Sequence, residues 1–212
     1  MLDRIPRRLR LAFGAGDTTP PTLDQALEPA TPDVVDFVAY GADCVLSGRT
    51  ILDGDRLTDM LNDYEEYALV GVAVERFDGG SPMTVDEVVV PREELWLVHA
   101  SGPRGAVARR TRTAPQHVAV KMGPYNVRGF FHGMPGTDPL SSIQRRKPMV
   151  PLTRARIQYT INGEEHDERV DTLIVNREQI EWLQATEPDR AEFPTAPTRR
   201  AIAPNRLVPD RD

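Results

Sequence analysis

Two stretches of this chain follow one plan, and that repetition limits the folds open to it more than any other feature. In residues 35–98, Phe37 and Ala39 alternate with Asp36 and Val38 before a glycine turn at Gly41. Residues 117–185 open in the same way, with an alternating run from His117 to Met122 before Gly123. Alternation at period two places one face of each run in a core and predicts half-buried strands. Second strands follow, ending near Gly48 and Gly129. Next come short apolar-spaced segments, Leu57/Met60/Leu61 and Leu140/Ile143, and then long strands at residues 68–77 and 149–161. Near the end of each stretch Arg92-Glu93-x-Leu95 lies on Arg177-Glu178-x-Ile180 without a gap. The copies are 81 residues apart at Gly48 and Gly129 and 85 apart at Arg92 and Arg177, so the added residues fall in loops. Loops absorb length at little cost, because closure entropy grows slowly with loop size.

This pattern predicts a mainly β protein of two tandem small β-barrels, an acidic one over residues 33–100 and a second over 117–186. Domains this small bury only about 60% of their unfolded surface, so the copies are expected to pack together or to oligomerise. Asn162-Gly163 between alternating runs is a strong hairpin signal. Residues 1–32 read as an arm and linker. Residues 5–13 form a short basic amphipathic segment, with Ile5, Leu9 and Phe13 among Arg7, Arg8 and Arg10, suited to docking on protein or, less favourably, to an anionic membrane surface. Residues 101–116 are a linker rich in arginine, proline and glycine. Residues 187–212, with five prolines and few large apolar side chains, read as a disordered tail.

Charge divides the copies more sharply than their strand pattern does. Residues 33–98 hold fifteen carboxylates against four arginines, residues 99–160 hold eleven cationic side chains against one carboxylate, Asp138, and residues 161–186 are acidic again, with seven carboxylates against two arginines. Opposite charge favours association and steering rather than any particular fold. The lone cysteine, Cys44, excludes an intrachain disulfide and fits a reducing cytoplasm, with a small buried residue as its expected role. Four scattered histidines give no metal-ligand spacing, and no Ser or Cys stands in a nucleophile's turn, so neither a cofactor nor catalysis is expected. Trp96 and Trp182, in the two closing segments, are expected to be buried.

Five short strands per copy, a helical turn after the second, and a closing pair split by Arg-Glu-x-hydrophobic resemble the small SH3-like barrel of the Sm-like proteins. The pattern also resembles an uncharacterised bacterial family that carries such domains in tandem. The resemblance implies an RNA site built from a loop Asp and Asn with an Arg near the last turn, which here correspond to Asp59, Asn62 and Arg92. In this chain Glu93 and Glu178 follow the arginines where the family carries glycine, and a carboxylate is unfavourable where a phosphate must approach. The resemblance further implies pairing between strand edges.

Two functional expectations follow. The first is a non-enzymatic structural or interaction protein that works through edge-strand pairing and charge-complementary surfaces, with itself or another protein as partner. The alternative is binding of RNA or another polyanion by Arg104, Arg109, Arg110 and Arg112 with Arg145, Arg146 and Lys147, since clustered cations release phosphate counterions.

Overall fold

The computed structural model describes residues 33–103 and 112–187. The amphipathic segment 5–13, the first linker, Arg104, Arg109 and Arg110 of the second linker, and the tail from residue 188 lie outside the described residues.

The protein is mainly β. Its first half runs β1 (Val34–Tyr40), β2 (Cys44–Ile51), α1 (Leu57–Asp63), β3 (Glu66–Arg76), β4 (Met83–Pro91), a 3-10 turn (Arg92–Glu94) and β5 (Leu97–His99). The second runs β6 (Ala114–Met122), β7 (Tyr125–Gly133), α2 (Pro139–Gln144), β8 (Met149–Ile161), β9 (Glu164–Asn176), a 3-10 turn (Arg177–Gln179) and β10 (Trp182–Ala185). The order of elements is the same in both. Asp138 caps α2 by accepting from the Ser141 backbone N–H at 2.9 Å. α1 starts after Arg56, whose side chain makes no cap bond. Asn162 and Gly163 both take positive φ in the two-residue hairpin joining β8 to β9.

Two tandem small barrels, packed together or oligomerising, were the expectation; among the described residues the ten strands form one open antiparallel sheet, and no barrel closes. Its order is β10-β6-β7-β8-β9-β5-β1-β2-β3-β4. The reason lies in β5, which pairs with β1 on one side and with β9 of the other half on its second side. An exposed edge carries a row of unmet backbone groups, and here the fourth strand of one half meets those of the fifth strand of the other.

The interior is likewise shared. One buried cluster gathers Val118, Tyr125, Val127, Ile157 and Leu173 of the second half around Tyr40 and Leu97 of the first. The other gathers Phe37, Leu57, Leu61, Leu69 and Leu95 of the first half around Met149 and Ile174 of the second.

Each half bends sharply at a β-bulge in the same place. Gly48 faces two residues of β3, and Gly129 faces two of β8. A Cβ on Gly48 would lie 3.1 Å from the Val70 carbonyl oxygen, and one on Gly129 3.3 Å from that of Thr153. A side chain at either place would require the facing strand to shift by a few tenths of an ångström. In the bulges Gly71 has φ +59°, and Arg154 occupies the corresponding place at φ +49°.

Candidate functional site

The junction between β5 and β9 is the most elaborated contact between the halves. Leu97, Val98 and His99 pair with Val175, Ile174 and Leu173, and two flanking backbone bonds extend the ladder, Asn176 N–H to Trp96 O and Ala100 N–H to Thr172 O. Asn62, at the end of α1, clamps one backbone residue of the other half: its amide donates to Met149 O at 2.9 Å and accepts from Met149 N at 3.0 Å. Asn176 is 1% exposed and donates to Leu95 O at 3.1 Å and Arg92 O at 3.3 Å. Lys147 of the second half reaches Asp63 of the first at 2.7 Å on the surface.

A polar and aromatic group lines the same junction. Tyr40 donates to Glu168 at 3.2 Å and lies 2.9 Å from His99 Nε2, while Tyr159 donates to the other oxygen of Glu168. Tyr125 donates to Gly41 O at 2.7 Å, and its ring meets Tyr40 edge to face at 5.5 Å. Burial pushes the Tyr40 and Tyr125 phenols far above their ordinary value, with the Glu168 carboxylate adding to the rise at Tyr40. Burial lowers the His99 imidazole, against the opposing pull of Glu168. These groups bond to one another across the halves, an arrangement that fixes two surfaces together.

The residues singled out in the sequence, where described, each have local surroundings of their own. Asp59 pairs with Arg56 at 2.8 Å, the Asn62 amide is bonded to Met149, and Arg92 donates to Tyr64 O at 3.1 Å. Arg146 donates to His132 O at 3.3 Å and lies 5.5 Å from the centre of the Phe131 ring. Arg145 is exposed at the end of α2, and Arg112 is exposed ahead of β6. Cys44 is half-buried at the start of β2. Burial, with Asp43 beside it, raises its thiol, which keeps it a poor nucleophile. Among the described residues, no group of three or more His, Cys, Asp or Glu side chains is placed to hold a metal ion, and no helix is long and apolar enough to cross a membrane.

What the sequence did not single out is the pair of strand edges at the two ends of the sheet. Among the described residues β4 pairs only with β3, and β10 only with β6. Each edge carries an exposed apolar side chain, Val89 at 55% on β4 and Trp182 at 48% on β10. Trp182 therefore departs from the burial expected of it; among the described residues β10 has no strand on its outer side. Beside β10 lies a hollow of about 230 Å³ lined by Leu140, Ile143, Gln144, Ile180 and Leu183 among others. Two wider hollows, of about 510 and 610 Å³, occupy corresponding places in the halves. The first is bordered by Val34, Ile51, Val70 and Glu87, the second by Pro115, His132, Thr153 and Thr172. The chain matches no family model, no curated protein and no solved structure.

Proposed function

We propose that this chain is a non-enzymatic interaction protein, built of two related SH3-like units left open at their edges, that works by strand-edge pairing between charge-complementary faces. One observation carries the reading: the β5–β9 junction joins a fourth strand to a fifth strand, and the sheet then ends in one fourth strand, β4, and one fifth strand, β10. The shared element order and the matched bulges at Gly48 and Gly129 support descent of both units from one plan. A strand edge offers backbone bonds for affinity, and alternate side chains give selectivity. The acidic first unit and the basic stretch from residue 99 to 160 give the edges unlike surroundings, which disfavours like-with-like pairing.

Size-exclusion chromatography with light scattering, run at low and high salt on the full chain alone and with proteins recovered by affinity to it, tests the reading. A complex that weakens as salt rises is expected, since exposed charges are screened beyond about 8 Å at physiological ionic strength. A 23.7 kDa monomer at every salt concentration, with no partner bound, would contradict it.

A further inference from the structure

The internal junction states what an edge of this protein accepts, and the open end beside β10 repeats the accepting half of it. At the junction, Ile174 and Met149 of the second half are buried against Leu57, Met60, Leu61, Leu95 and Val98 of the first, supplied by α1, the segment after the 3-10 turn, and β5. By element order the counterparts at the other end are α2, the second 3-10 turn and β10, and their side chains Leu140, Ile143, Ile180 and Leu183 border the 230 Å³ hollow. Local bonding confirms the alignment: Leu95 N–H to Arg92 O recurs as Ile180 N–H to Arg177 O, and Trp96 N–H to Tyr40 O recurs as Glu181 N–H to Lys121 O. The hollow is thus the counterpart of a site that the other half occupies with the side chain of its fourth strand. The counterpart of Ile174 on the open fourth strand is Val89, which is exposed.

Resting on the edge-pairing reading above, we infer that the hollow beside β10 receives β4 of a second copy of this chain, with Val89 seated in it. Transferring the register Leu97–Val175, Val98–Ile174 and His99–Leu173 sets Trp182 against Val90, Leu183 against Val89 and Gln184 against Val88 of the other copy. Val89 enters between α2 and β10. On the opposite face, Trp182, the counterpart of fully buried Leu97, covers Val88 and Val90. Lys147 meets Asp63 within one copy, and between copies the same place brings Arg145 and Arg146 at the end of α2 near Glu65 and Glu66 at the start of β3.

Three differences make this contact weaker than the internal one. Pro91 stands where Asn176 does, so the bond that Asn176 N–H makes to Trp96 O has no equivalent, and proline on an edge limits pairing. No asparagine stands on or just after α2 to act as the clamp Asn62 does, and the apolar Met149 becomes Glu66. The assembly is heterologous: each copy uses β4 toward one neighbour and β10 toward the other, and the copies close into a ring or extend into a filament according to the rotation at each step. It is expected to be concentration-dependent and salt-sensitive.

The test uses two variants of the full chain, Val89→Glu and Trp182→Glu, at positions exposed enough for folding to survive, with circular dichroism melts as the control. The wild type at high protein concentration and low salt is expected above monomer mass by light scattering. Each variant alone is expected at monomer mass, and an equal mixture at twice that mass and no more, because each blocks one edge and leaves the other. A wild type that stays monomeric would overturn the second copy as partner while leaving the edge-pairing reading open to another protein. Association that survives both substitutions would overturn the edge reading as well. Variants that fail to pair on mixing would overturn the head-to-tail geometry.

Discussion

At the scale of single residues, the backbone rather than any titratable site makes the strongest demands. Gly123 has φ +48°, and a Cβ there would lie 2.5 Å from the Trp96 ring, so the turn between β6 and β7 and the junction tryptophan compete for one space. Gly123→Ala is expected to destabilise the protein by about 1–3 kcal/mol, from strain and overpacking together, as read by urea unfolding. Arg154 holds φ +49° where the first half has glycine, a conformation that costs an L-residue roughly 1–2 kcal/mol. Arg154→Gly is therefore expected to be neutral or slightly stabilising, and Gly71→Ala destabilising, an asymmetry the same assay measures. His99 gives a pH dependence. Its folded imidazole is held below the ordinary value near 6.5, so between the two values the unfolded chain binds more protons. Stability should fall as pH drops through that ordinary value and level off below the folded one, and His99→Gln should flatten this part of a melting-temperature profile.

At the scale of elements, alternation and turn chemistry read directly from the residues. Phe37 and Ala39 against Asp36 and Val38 mark β1, Asn162-Gly163 marks the β8–β9 hairpin, and Leu57, Met60 and Leu61 mark the buried face of α1. Pairing across the halves did not read out, for a physical reason: period two tells which face of a strand is buried and nothing of which strand lies beside it. The three residues of β5 are too few to show even a period. Asn62 illustrates the same limit. Its place in a loop suggested a ligand contact, whereas the fold turns its amide onto Met149. Trp182 failed the other way, since large aromatic rings are normally buried, whereas this one lies on β10, an end strand of the sheet among the described residues. Asn176 is the element-level test of the junction. It donates to two carbonyls and accepts from Glu178 N–H, so Asn176→Ala leaves buried polar groups unmet. A loss of roughly 2–3 kcal/mol is expected in urea unfolding, larger than for Asn62→Ala at the rim.

At the scale of the whole molecule, the sheet runs through both halves and both buried clusters draw side chains from each. The halves should therefore melt together. Calorimetry of the full chain is expected to give one transition with equal calorimetric and van't Hoff enthalpies; two resolved transitions would mean that the junction is not a source of shared stability. The same continuity leaves unlike edges at the two ends of the sheet formed by the described residues, with an exposed apolar side chain on each. The most direct measurement of that arrangement is a disulfide between copies. In a Cys44→Ala background, chains carrying Val88→Cys and chains carrying Gln184→Cys are mixed and oxidised. The transferred register puts these positions directly opposite in a non-hydrogen-bonded pair, where Cα atoms lie about 4.5 Å apart and a disulfide can form. The account predicts a covalent dimer of one chain of each kind, abundant only in the mixture. Absence of that dimer, or equal cross-linking within either chain type alone, would contradict it.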